Sequence, residues 1–142
     1  MTVRMVQDVV QWLQNGPLID DHITVDHLEN IPGSAGLFPL GMEEISRRED
    51  VTGAVVRRCR YRFELRRVTV GQKDNSRQAQ WLVDFQDWVK QQENMGMTPT
   101  FGDEPAQEHI RAEKGRLKSA AQTGTGTYTV ELIAEFVLKG EM

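Results

Sequence analysis

Few residues in this chain are of types suited to chemistry, and their spacing is poor. His22 and Asp26, in His-Ile-Thr-Val-Asp, match the HxxxD spacing of acyltransferases in which histidine is the general base. The match is two residues long, and His27 stands where that pattern has glycine, so the segment reads as a solvated turn and strand. His22, Asp26, His27 and His109 are the candidates for a metal site. They lack a helical His-x3-His register and a second cysteine, and they read as surface residues. Ser34 lies in Pro-Gly-Ser-Ala-Gly, one residue short of a G-x-S-x-G elbow, with no strand closely before it. The same glycines are not followed by Lys-Ser/Thr, so they form no phosphate loop. The single Cys59 excludes an internal disulfide and reads as a buried, inert thiol made in a reducing compartment. The expectation is a chain that is not an enzyme and carries no metal or cofactor.

What could be positioned for function lies instead on one long element. Ala54 to Val70 alternates in character over a length that fits a β-strand, because successive side chains point to opposite faces. Val55, Cys59, Tyr61, Phe63 and Leu65 share one face; Arg58, Arg60, Arg62, Glu64 and Arg66 share the other. The apolar face covers a core. The arginine face has three readings: pairing within the sheet to Glu131 and Glu135 or to Glu108 and Glu113, contact with an acidic surface of a neighbouring subunit, or contact with DNA phosphates. The DNA reading is the weakest, because arginines without interleaved exposed aromatics read neither bases nor single strands.

Composition bounds these readings. The chain has 142 residues and a formal net charge of −4, which suits one domain and argues against a general nucleic-acid binder. A chain of this size buries roughly 68–70% of its unfolded surface, so it needs no disulfide or metal to hold a core. Charge is uneven. From Asp20 to Asp50, eight acids face two arginines, a net of −6; from Arg57 to Arg67, six arginines face Glu64, a net of +5. Such regions pair internally or between copies, so self-association is expected. No apolar run approaches the ~18 residues of a membrane span, and the N-terminal segment has no signal-peptide core.

Periodicity places the remaining elements. Met5, Val9, Trp12 and Leu13 form one stripe of a helix over residues 3–14, ended by Asn15-Gly16-Pro17. A short strand is expected over Ile23 to Leu28, a loop with an apolar Leu37-Phe38 patch over Asn30 to Gly41, and a strand over Met42 to Ser46. Glu49 to Gly53 turns the chain into the arginine strand. Gly71 to Asn75 is a polar turn. A helix follows over 76–94, with Trp81, Leu82, Phe85, Trp88 and Val89 on its apolar stripe; both tryptophans read as core. A loop then runs from Met97 to Pro105, including Phe101. Strands over Glu108 to Lys118 and Tyr128 to Leu138, joined by a Thr123–Thr127 turn, make a hairpin. The order α-β-β-β-α-β-β is satisfied by an α+β fold: a largely antiparallel sheet with two amphipathic helices on its apolar face.

Several segments together resemble a known family. Pro32-Gly33-Ser34-Ala35-Gly36-Leu37-Phe38-Pro39-Leu40-Gly41 leads into Arg47-Arg48-Glu49-Asp50-Val51-Thr52-Gly53. Arg60-Tyr61-Arg62-Phe63-Glu64-Leu65-Arg66-Arg67 and the Trp81-to-Trp88 helix follow, then Phe101-Gly102-Asp103-Glu104-Pro105, Ile110 to Leu117, and Tyr128-Thr129-Val130. Over nearly the whole chain this resembles small proteins encoded in the structural-gene clusters of prophages of Gram-positive gut bacteria. They are labelled minor capsid, tail-terminator or tail-completion proteins. The resemblance implies a virion protein assembled in the bacterial cytoplasm. A terminator closes as a ring, usually a hexamer, on the end of the tail tube and docks the head connector, with DNA touching at most the lumen. The alternatives are a head–tail joining or other minor capsid protein, or a small prophage-encoded binding or regulatory module. On this reading the interface candidates are Arg58, Arg60, Arg62, Arg66, Glu131, Glu135, Leu37, Phe38 and Phe101. Reversing the charge of Arg58, Arg60 and Arg62 is then expected to abolish the ring and leave a folded monomer.

Overall fold

The computed structural model describes residues 2–19, 23–29, 31–70, 76–120 and 125–140. Helix α1 (Thr2–Gln14) leads to strands β1 (Ile23–Val25), β2 (Ala35–Glu49) and β3 (Val55–Val70). Helix α2 (Ser76–Asn94) follows, then a 3-10 turn (Pro105–Gln107) and strands β4 (His109–Ala120) and β5 (Thr125–Gly140). The strands form one sheet in the order β1-β2-β3-β5-β4. β1 pairs with β2 in parallel and every other pairing is antiparallel. The fold is α+β with a mixed sheet and the expected element order.

The core explains the sidedness. Phe63 and Leu65 of β3, and Val130, Leu132, Ala134 and Phe136 of β5, are buried on one face. Met5, Val9 and Leu13 of α1 and Leu82, Phe85 and Val89 of α2 join them in one cluster. Both helices therefore lie on that face, as their stripes require. They also meet each other: the Trp12 and Trp88 rings stack with centroids 4.9 Å apart, and the Trp12 indole N–H donates to Gln92 Oε1 at 3.1 Å. Trp81 and Trp88 are half-buried against the cluster, and Trp81 Nε1 donates to the Leu18 carbonyl at 2.8 Å.

Three expectations are corrected. The loop expected over Asn30 to Gly41 is strand from Ala35 onward. Its glycines and Pro39 suggest irregularity, and they do mark it, but as a bulge inside a strand. The register slips between Pro39 and Gly41 and again between Glu44 and Ser46, and Gly41 takes the bulge's positive φ of 113°. Residues 125–127 of the expected Thr123–Thr127 turn belong to β5. Val56, not Val55, is the buried one of that pair. The Gly71–Asn75 turn, residues 123 and 124, and His22 lie outside the described residues.

Before β4 begins, the chain already runs along the edge of β5. Asp103 N donates to the Val137 carbonyl at 2.8 Å, and Lys139 N donates to Asp103 Oδ2 at 2.7 Å. A Cβ at Gly102 would sit 2.3 Å from Val137 O, so only glycine lets this segment approach β5 so closely.

Candidate functional site

The arginines lie on the face opposite the helices, and the register decides what they meet. Reading across β2, β3 and β5, one row is Glu43, Arg60, Glu135. Arg60 bridges it, with 3.2 Å to Glu43 and 3.0 Å to Glu135. Arg62, one row on, reaches Glu131 at 2.6 Å and Glu43 at 3.7 Å. Glu135 is the hub, also meeting Arg58 at 3.5 Å and Arg111 of β4 at 3.4 Å. Burial by itself pushes the Glu135 carboxyl up, but hydrogen bonds and charge from Arg60 and Arg111 outweigh it and hold the group below its ordinary value. The Arg60 guanidinium is correspondingly raised, chiefly by its hydrogen bond to Glu135. Pairing within the sheet to Glu131 and Glu135 is thus what the face does. Glu113 pairs instead with Arg111 at 3.3 Å. Glu108 accepts the backbone N–H groups of Phe101 at 2.5 Å and Gly102 at 3.1 Å.

An apolar layer lies beneath this lattice. Ile133 is 1% exposed, Val137 4% and Val56 7%, although both described helices lie on the other face. Ile133 sits in register between Arg62 and Arg111, and Val137 opposite Arg58. The cover comes from long side chains that bury their methylene stems and keep their charged heads in water.

The other predicted interface residues divide. Leu37 is fully buried and Phe101 nearly so; Phe101 packs on Phe136 with centroids 5.8 Å apart. Both are core, not outward patches. Phe38 is half-buried under the Arg66 guanidinium, 4.0 Å above its ring, and Arg66 pairs with Glu64 at 2.5 Å. Asp26, His27 and His109 are exposed; His109 pairs with Glu93 at 3.0 Å. Among the described residues no group of three His, Cys, Asp or Glu could hold a metal ion. No described helix is long and apolar enough to cross a membrane. Burial pushes the Cys59 thiol up, against a smaller opposing effect of Arg57.

No family model matches this chain, and no curated protein matches it.

Residue patterns placed a strand over Met42 to Ser46 but did not reveal the open outer edge of β2. β1 reaches only to Leu37, and no described strand pairs with the outer edge of β2 from Pro39 to Glu49. Residues 40–49 are all exposed. Leu40 (53%), Met42 (42%) and Ile45 (41%) show apolar surface along this edge, and Val51 projects fully from the hairpin tip. The tip is firmly built: Asp50 Oδ1 accepts from Thr52 N, Thr52 Oγ1 and Ala54 N at 2.9, 2.6 and 3.1 Å. Those hydrogen bonds, led by the Thr52 hydroxyl, hold the Asp50 carboxyl below its ordinary value. The opposite edge of the sheet is capped by α2 at the start of β4. Glu93 Oε1 of α2 accepts from Ile110 N at 3.1 Å, and Gln86 Nε2 donates to the Ala112 carbonyl at 3.4 Å. An open, partly apolar strand edge is a template for pairing with another chain.

Proposed function

We propose that this chain is a structural protein of virion assembly. Within that class we read it as a tail terminator, closing with copies of itself into a ring that caps the tail tube and docks to the head connector. The residue resemblance supplies the class. The observation that carries the assembly role is the open β2 edge, with Leu40, Met42, Ile45 and Val51 exposed along it. Docking of this edge on a different patch of the neighbouring subunit is a heterologous contact, the contact type that makes rings. The arginine face is not the docking surface in this reading, because its charges are met by Glu43, Glu131 and Glu135.

The test is light scattering and negative-stain microscopy of the purified protein, alone and mixed with the tail tube protein of the same gene cluster. Rings, free or capping tube ends, are expected. The double substitution Met42→Lys with Ile45→Lys is expected to leave a folded monomer with an unchanged circular dichroism spectrum. Monomers of the parent protein both alone and with tube, or unaltered rings in the double variant, would overturn the proposal.

A further inference from the structure

The sheet has a second uncovered edge stretch, on β4. Helix α2 caps that strand at its start, where Glu93 Oε1 accepts from Ile110 N and Gln86 Nε2 donates to the Ala112 carbonyl. Beyond the bulge between Glu113 and Arg116 the strand runs on to Ala120. There Arg116 and Leu117 are both exposed, Leu117 at 39%. No described strand pairs with their outer side. β2 and β4 thus leave one open stretch at each side of the sheet.

Backbone phase decides whether these stretches can bond. Along an antiparallel pair, residues whose N–H and C=O groups bond to the partner strand alternate with residues whose groups point away. Ile110 N–H and Ala112 C=O point out to α2, so their partners Ala134 and Leu132 turn their groups toward β3. The pairing of β5 with β3 is unbroken and carries this phase along both strands. Tyr128, in phase with Ala134, also turns toward β3, which leaves the groups of Leu117 opposite it pointing outward. Tyr61, opposite Ala134, turns toward β5, which leaves the groups of Met42 opposite it pointing outward. Leu37 has the same phase: it lies opposite Leu65, and its carbonyl points outward to accept from Asp26 N at 3.0 Å.

Strand direction and side-chain faces then select one register. β2, β3, β5 and β4 alternate in direction, so β4 runs against β2. Copies related by a ring axis along the strands keep that relation and meet antiparallel. Cross-strand partners share a face. Met42 lies with Tyr61, and Leu117 with Tyr128, on the helix-bearing face. Glu43 lies with Arg60, and Arg116 with Thr129 and Arg66, on the arginine face. Setting Met42 opposite Leu117 therefore sets Glu43 opposite Arg116. One register joins two outward-pointing backbones, two exposed apolar side chains and two opposite charges. We infer that the β2 edge of one copy pairs with the β4 edge of the next, Met42 with Leu117 and Glu43 with Arg116, so that the sheet continues from subunit to subunit. The inference rests on the ring reading above and names the patch that the β2 edge meets. Each subunit offers both edges once, the repeat that a closed ring needs. Glu43 has room for a further guanidinium, since its side chain stays 55% exposed while meeting Arg60 and Arg62.

Antiparallel partners that exchange backbone hydrogen bonds have Cα atoms about 5.5 Å apart, within disulfide range. The double variant Met42→Cys with Leu117→Cys is expected to form rings under reducing conditions. After mild oxidation with copper phenanthroline it is expected to give a ladder of covalent multimers in non-reducing denaturing electrophoresis. Neither single variant is expected to give bands beyond a dimer, and Cys59, 1% exposed, takes no part. Arg116→Glu, at an exposed position, sets two carboxylates opposite each other. It is expected to raise the concentration for half-assembly roughly tenfold with an unchanged circular dichroism spectrum. Rings of the double variant without a ladder, a ladder in either single variant, or a half-assembly concentration unmoved by Arg116→Glu would each overturn this inference and leave the ring standing. A monomeric parent protein would instead overturn the ring reading, and this inference with it.

Discussion

Replacing Glu135 with glutamine tests whether the charge lattice on the arginine face holds the sheet together. The carboxylate meets Arg58, Arg60 and Arg111 within 3.5 Å, and its side chain is 15% exposed. It lies between two limits. Exposed pairs are worth about 0–1 kcal/mol, and breaking a fully buried pair costs about 3–5 kcal/mol. Glutamine keeps the shape and loses the charge, leaving three guanidiniums around it with no counter-charge at their centre, so a loss of about 2 kcal/mol is expected. For a domain of this size that is a fall in melting temperature of roughly 4–8 °C at pH 7. The pH dependence carries a second signature. The carboxyl is held below its ordinary value of 4.5, so on acidification the unfolded chain takes up this proton before the folded one does. The stabilisation is therefore fully present above pH 4.5 and is lost as pH falls through the depressed folded value. Thermal scans of both proteins from pH 7 downward should show the gap narrowing below 4.5. A variant melting within about 1 °C of the parent at pH 7, or a gap that stays flat or widens on acidification, would refute the reasoning.

Gly102→Ala places a Cβ 2.3 Å from the Val137 carbonyl. The segment that closes the β5 edge must then shift, and denaturant unfolding should report a loss of about 1–3 kcal/mol, as for other overpacked sites. Cys59 is 1% exposed and its thiol is pushed up by burial, so an aromatic disulfide reagent near pH 8 should label it only after urea unfolds the chain; stoichiometric labelling of the native protein would contradict its placement.

Alternation and helical periodicity carried most of the architecture. β3 and β5 pair along their whole length, so the period of two is unbroken and both faces can be read from residue type alone. Helix α2 has the expected bounds because Trp81, Leu82, Phe85 and Val89 keep one stripe in phase with a single neighbouring sheet face. Of β2, the strand over Met42 to Ser46 was legible, and its first part, from Ala35, was not, for a local reason. Its two bulges each break the alternation, and its glycines and proline are residues that punctuate loops. That Leu37 is core rather than a surface patch follows from the same misreading, since a residue placed in a loop is assigned outward by default. Glu131 and Glu135 as partners of the arginines were readable because they lie on the strand directly beside β3. Glu43 was not, because its position opposite Arg60 depends on the bulge at Leu40.

The charge lattice also changes which experiment bears on assembly. Reversing Arg58, Arg60 and Arg62 would place new acids against Glu43, Glu131 and Glu135 within a single subunit. Loss of a ring in that variant would follow from a damaged sheet whether or not any arginine touches a neighbour. The same lattice weakens the DNA reading, because guanidiniums already paired at about 3 Å gain little from phosphates unless the carboxylates are displaced. The β2 arm has the opposite character. Its side chains are exposed within the subunit, no described strand pairs with its outer edge from Pro39 onward, and its tip is hydrogen-bonded through Asp50. Substitutions at Met42 and Ile45 therefore change what the protein can dock to without removing an interaction from its own core, and a change in oligomeric state there speaks to assembly alone.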